Sequence, residues 1–201
     1  MISGRLRRVR DVLRACVLAM AVSCAGLASA QAIVLTELLA GLAGVERSSA
    51  TFEETRTVAA LTAPIVRRGS LRYVRPDSLE MVVDSPAPER IEIKGEQLTL
   101  ESRSGTKRVR LSELPAVAAW VESVRATLAG DHQALRRYFD VRASGRMAAW
   151  TLELTPLDNE LASFVSRIRI EGNQARVTRI EIDERGGDRS VMTIAATDGR
   201  R

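Results

Sequence analysis

The chain has 201 residues, with 30 Lys and Arg against 25 Asp and Glu, one histidine, two cysteines, two Trp, two Tyr and three Phe. That length accommodates one ordinary domain plus a targeting segment, and a single histidine excludes a multi-histidine metal centre. The formal charge of +5 is concentrated at the front, so the basic balance is weak ground for a nucleic-acid partner.

Arg5, Arg7, Arg8, Arg10 and Arg14 precede an apolar run over residues 15–28, which closes on Ala28-Ser29-Ala30. A basic start, a short apolar stretch and a small-x-small end predict a cleavable secretory signal over residues 1–30, cut after Ala30. The run is too short to span a bilayer as a helix, which needs about 20 residues. Two alternatives stay open: an uncleaved N-terminal anchor, and lipoprotein processing at Cys24, before which Ala21-Val22-Ser23 lacks the leucine such processing prefers. Cutting after Ala30 removes five Arg, one Asp, Cys16 and Cys24, leaving 25 basic and 24 acidic residues. The mature chain then has no thiol for a disulfide, a nucleophile or a metal. Residues 31–201 are expected to be one soluble domain.

Residues 33–45 show helical spacing of Ile33, Val34, Leu38, Leu42 and Val45, ended by Glu46-Arg47-Ser48-Ser49. From Phe52 the period falls to two. Strands are predicted over residues 52–58 and 69–74, with Pro64 in the connection, and then at 79–83. Alternation continues through 91–93 and 98–100 around the turn Lys94-Gly95-Glu96, and through 107–111 after Ser104-Gly105. A helix is predicted over residues 114–128, with Pro115 in its first turn. Gly130-Asp131 breaks it, and Asp131 can cap a short helix reaching Tyr138. Strands return at 147–154, 165–170, 176–182 and 189–195, separated by turns at 156–160, Gly172-Asn173 and Gly186-Gly187.

About nine strands joined by short turns predict an antiparallel meander, hence an α+β fold with one large curved sheet covered by two or three helices. With so few aromatic residues, the apolar face is largely aliphatic. A concave aliphatic face under a movable lid suits a flexible acyl chain better than a planar cofactor. Equally open is that the helices pack onto the face and leave no cavity.

The catalytic inventory is thin. A nucleophilic triad would have to be built on His132, whose place at a helix start reads more simply as solvated. There is no Gly-x-Ser-x-Gly elbow, no phosphate-cradling glycine loop and no His-Glu-x-x-His. Adjacent carboxylates such as Glu53-Glu54 point to opposite faces of a strand. Arg167 and Arg169 read as a wet face. No catalytic residue, metal or cofactor is expected.

Residues 69–81, Gly-Ser-Leu-Arg-Tyr-Val-Arg-Pro-Asp-Ser-Leu-Glu-Met, make a strand, an Arg75-Pro76 corner and a second strand. Pro76 pushes Arg75 towards an extended backbone and so sets its direction at the corner. This segment resembles the bacterial periplasmic outer-membrane lipoprotein carrier (LolA-like) family, with its Gly-x-Leu-aromatic, Arg-Pro, aliphatic-strand pattern. The likeness continues in order through Phe52 with residues 53–56, then residues 94–98, residues 150–156 and Asp188-Arg189-Ser190, covering nearly all of residues 32–196. The chain departs from the family in the long segment 114–128 and in stopping soon after the strand at 189–195, where a C-terminal extension is expected to be missing.

The resemblance implies an incomplete, half-open β-barrel closed by helices, with an aliphatic cavity. The expected lining is Leu71, Tyr73, Leu79, Met81, Val83, Ile91, Ile93, Leu98, Leu100, Leu152 and Leu154. It further implies that Arg75 latches the lid through backbone groups; the plainer alternative is a turn arginine facing water. The function implied is a periplasmic, non-enzymatic and monomeric carrier. It would take acylated lipoprotein or another lipid from an inner-membrane export complex and deliver it to an outer-membrane acceptor. A lipid-sensing regulatory module of the same fold is the alternative, and a hydrolase built on His132 comes third.

Overall fold

The computed structural model describes residues 35–197. The signal segment, its Ala30 cut, Cys24 and the first two residues of the predicted first helix, Ile33 and Val34, lie outside the described residues. Helix α1 (Leu35–Leu42) leads into β1 (Arg47–Thr57), β2 (Ile65–Val74), β3 (Ser78–Ser85), β4 (Glu89–Lys94), β5 (Gln97–Ser102) and β6 (Gly105–Arg110). A 3-10 turn at Leu111–Glu113 opens the helical crossover, α2 (Pro115–Ala129) and α3 (His132–Tyr138). The chain returns as β7 (Phe139–Arg146), β8 (Ala149–Pro156), α4 (Asn159–Phe164), β9 (Val165–Asn173), β10 (Arg176–Glu184) and β11 (Arg189–Ala196).

All eleven strands form one sheet in the order β6-β5-β4-β3-β2-β1-β11-β10-β9-β8-β7, and every neighbouring pair is antiparallel. The long-range pairing of β1 with β11, Phe52 opposite Ile194, joins two meanders into one surface. The edges β6 and β7 do not pair with each other, so the sheet stays an open barrel, and α2 and α3 are the chain's path from one edge to the other. This is the α+β half-barrel that the alternation and the family pattern imply.

The element ends have local causes. Pro115 occupies the first turn of α2, where its missing N–H is no loss. Gly130 ends that helix at φ 70°, a left-handed conformation suited to glycine. Asp131 caps α3 by accepting from the Ala134 N–H at 2.9 Å. Gly69 is needed for space: an added Cβ would collide with the Val82 carbonyl, beside the register shift between β2 and β3.

Four stretches differ from the periodic reading. β1 starts at Arg47 rather than Phe52, and β2 at Ile65 rather than Gly69. β7 occupies residues for which no element is predicted; its inward residues Phe139, Val141, Ala143 and Gly145, opposite Pro156, Leu154, Leu152 and Trp150, shrink along the strand, so its alternation fades. α4 replaces a turn. Six residues with a single buried leucine, Leu161, carry no helical period, and only the Asp158 cap accepting from the Glu160 and Leu161 N–H groups announces it.

The main core joins α1 (Leu38, Leu39, Leu42), Leu135, Phe139, Leu161 and the inward residues of β8 and β9. A smaller cluster holds Ile93, Leu98, Leu111 and Val121.

Candidate functional site

The strand registers put all eleven expected lining residues on one face of the sheet. Tyr73 lies opposite Leu79, Leu79 opposite Ile93, and Ile93 opposite Leu98, forming one row across four strands. Leu71, Met81, Ile91 and Leu100 form the next row in the same way. Val83 faces Gly69 at the end of this surface. Leu152 and Leu154 lie on the same face at the far side of the sheet, opposite Ile170 and Ile168.

Their burial is uneven. Leu152 and Leu154 are wholly enclosed, and Tyr73, Met81, Val83, Ile93 and Leu98 are buried. Leu71, Leu79, Ile91 and Leu100 are only half-buried, although they pack against the two cores. The structure thus gathers nine of the eleven residues on β2–β5 and leaves the other two inside the filled core. Two surface clefts, one along Ala148–Thr151 and Glu171–Asn173 and one around Lys94, Arg108 and Arg110, contain none of the eleven.

Arg75 leaves the corner after β2, where its backbone N–H donates to the Glu46 carbonyl at 2.9 Å. Its guanidinium donates to the Ala43 carbonyl just past α1, and to the Ala129 carbonyl at the last residue of α2 at 3.3 Å. Those carbonyls belong to helix C-termini, where the partial charge is negative and four acceptors lack helical partners. One cation at that point ties the ends of two helices to the sheet. Arg75 is exposed while doing so, so the same side chain faces water and bonds the two helix ends.

A second arginine, absent from the sequence reading, works in the opposite direction. Arg125 projects from α2 and is 7% exposed. Its Nη2 donates to the carbonyls of Asp77 at 2.6 Å and Gly95 at 2.8 Å, and its Nη1 to Glu122 at 3.3 Å. Asp77 lies in the Arg-Pro corner and Gly95 in the β4–β5 turn, so this helix grips both turns beneath it. The signal was available: Arg125 stands four residues after Val121, which is fully buried, and so occupies an inward helical position.

Both arginines act on Tyr73. Burial raises its pKa, an effect that Asp77 reinforces and that the positive charges of Arg75 and Arg125 partly offset. His132 accepts from Arg136 Nε at 2.8 Å one turn along α3, the solvated helix-start role. Among the described residues, no group of His, Cys, Asp and Glu could hold a metal ion, and no helix is long and apolar enough to cross a membrane.

A family model described as outer membrane lipoprotein carrier protein LolA-like matches residues 27–200. No curated protein matches the chain. Among solved structures, a LolA-superfamily protein of Nitrosomonas europaea is similar at 14% identity, over 81% of this chain and 92% of that chain, with a TM-score of 0.45. The Mycobacterium tuberculosis lipoprotein LppX is similar at 12% identity, over 82% and 93%, with a TM-score of 0.43.

Proposed function

The chain belongs to the outer membrane lipoprotein carrier protein LolA-like family, and on that premise we propose that it is a non-enzymatic periplasmic carrier of acyl chains. Residues 1–30 act as the cleaved signal and residues 31–201 as the carrier domain. The observation that supports this most is the row Leu71–Met81–Ile91–Leu100, in which Leu71, Ile91 and Leu100 stay half-buried beside the buried Met81, an aliphatic strip on the concave face that the helices only partly cover. The nine predicted lining residues on β2–β5 are its lining, whereas Leu152 and Leu154 are enclosed in the packed core.

Each methylene moved from water onto such a strip contributes about 0.8 kcal/mol, so about a dozen contribute on the order of 10 kcal/mol. Measured against a bilayer, which is equally apolar, that advantage nearly vanishes. A carrier must therefore receive its cargo from an inner-membrane partner that supplies work and yield it to a better outer-membrane acceptor. A lid held by a few hydrogen bonds suits this, since its closed state must not outcompete cargo. Arg75 holds the sheet to the helix ends, and Arg125 holds α2 to the sheet.

Native mass spectrometry of the protein purified from its own periplasm tests the reading. Acyl species of discrete mass that remain bound until the chain unfolds are the expected result, and they would also identify the cargo. A uniformly bare protein would remove the carrier reading.

A further inference from the structure

Two hydrogen-bond donors are stranded inside the concave face. Tyr73 is 3% exposed, and its hydroxyl has no hydrogen-bond partner among the described residues; neither has Arg125 Nε. Both atoms are sealed from solvent, and an orphaned buried donor is destabilising unless something supplies an acceptor.

Register and the bonds of Arg125 bring the two to the same end of the sheet. Tyr73 heads the row Tyr73–Leu79–Ile93. The carbonyls that Arg125 grips lie in the turns at that end, Asp77 two residues before Leu79 and Gly95 two residues after Ile93. The guanidinium therefore caps the row that Tyr73 opens, with its remaining nitrogens already committed to Asp77, Gly95 and Glu122. The charge of Arg125 is also felt at the Tyr73 hydroxyl, consistent with that placement.

We propose that Tyr73 Oη and Arg125 Nε form a polar subsite for the carbonyl or carboxylate oxygen at the head of an acyl chain. Arg125 Nε–H can only donate and its positive charge repels an ammonium head, so the pair calls for an accepting ligand oxygen, to which the Tyr73 hydroxyl can also donate. The hydrocarbon beyond that oxygen then runs along Leu71, Met81, Ile91 and Leu100. A phenol is already protonated at neutral pH and burial moves its pKa further up, so Tyr73 remains a donor under the conditions of transport. The inference rests on the carrier reading and adds to it the chemistry of the ligand's head.

The test compares binding of dodecanoic acid, its methyl ester and dodecane to the full chain and to Tyr73→Phe and Arg125→Lys. The segment preceding the domain is common to all three proteins. Tyr73→Phe removes only the orphan hydroxyl, so its urea midpoint is expected to stay level or rise. Its affinity for acid and ester is expected to fall about five- to tenfold, with dodecane unaffected. Arg125→Lys keeps a cation but loses Nε, and should show the same selective loss. Either ordering of acid and ester supports the subsite and says whether it takes a free carboxylate or an ester. Equal affinity changes for all three ligands, or none, would overturn it while leaving the carrier reading in place. A Tyr73→Phe protein that loses stability with unchanged affinities would overturn it by showing a structural hydroxyl. Failure of the parent to bind any of the three would bring down the carrier reading as well.

Discussion

The two halves of the open barrel carry the same apolar alternation and reach different states of packing. On β8 and β9, Leu152, Leu154, Ile168 and Ile170 are at most 1% exposed, because α1, α3, α4 and Trp150 converge on them. On β2–β5 the same alternation leaves Leu71, Leu79, Ile91 and Leu100 half-buried, with Val121 of α2 and Leu111 packed over the neighbouring row. Alternation assigns a residue to a face, but it does not say whether anything covers that face. The half overlaid by three helices is core, and the half under α2 keeps part of its aliphatic surface uncovered.

The sharpest way to break this comparison is to truncate one residue in each half. Ile168→Ala should lose about 2–5 kcal/mol, because a fully enclosed side chain leaves a cavity. Leu100→Ala should lose no more than about 1 kcal/mol, since part of its surface already meets water. Urea unfolding measures both, and equal losses would mean the two halves are equally filled.

Arg125→Met comes next, with an expected loss of about 1–3 kcal/mol because the Asp77 and Gly95 carbonyls lose a charged donor. Hydrogen exchange should accelerate in α2 more than in β8 or β9; uniform acceleration would deny α2 a separate motion. Arg75→Leu should cost less than about 1 kcal/mol, since its bonds are exposed. It should nevertheless trap or exclude cargo, and transfer at the parent's rate would sink the latch.

The smallest effect lies on the convex side of the filled half. Burial works to raise the pKa of Glu181, but hydrogen bonds and charge from Arg179 and Arg189, at 2.5 and 2.7 Å, outweigh it and hold the carboxyl below its ordinary value. A folded pKa below the unfolded one contributes stability above the unfolded pKa, lost as pH falls through the folded one. Glu181→Gln should therefore be less stable than the parent at neutral pH, with the gap closing as the pH falls through the carboxylate range. A gap that persists in acid would locate the effect in shape rather than charge.

Much of the fold was legible in residues. Alternation correctly put all eleven predicted positions on one face, and the ends of α2 and α3 were written in Pro115, Gly130 and Asp131. The Arg75-Pro76 corner pointed to the residue that bonds both helix ends. What escaped notice had weak local signals: β7 tapers from Phe139 to Gly145, α4 has one buried leucine, and Arg125 looks like an ordinary helix cation until its carbonyl partners are known.

By itself the sequence determined the period of each element, the inward face of each strand and the family pattern, because these depend on neighbours a few residues apart. Only the tertiary structure decided which part of the concave face is filled and that Tyr73 Oη and Arg125 Nε are left without acceptors. Both follow from where the helices lie over an open sheet joined through the pairing of β1 with β11. That pairing joins Phe52 to Ile194, and no local pattern encodes it.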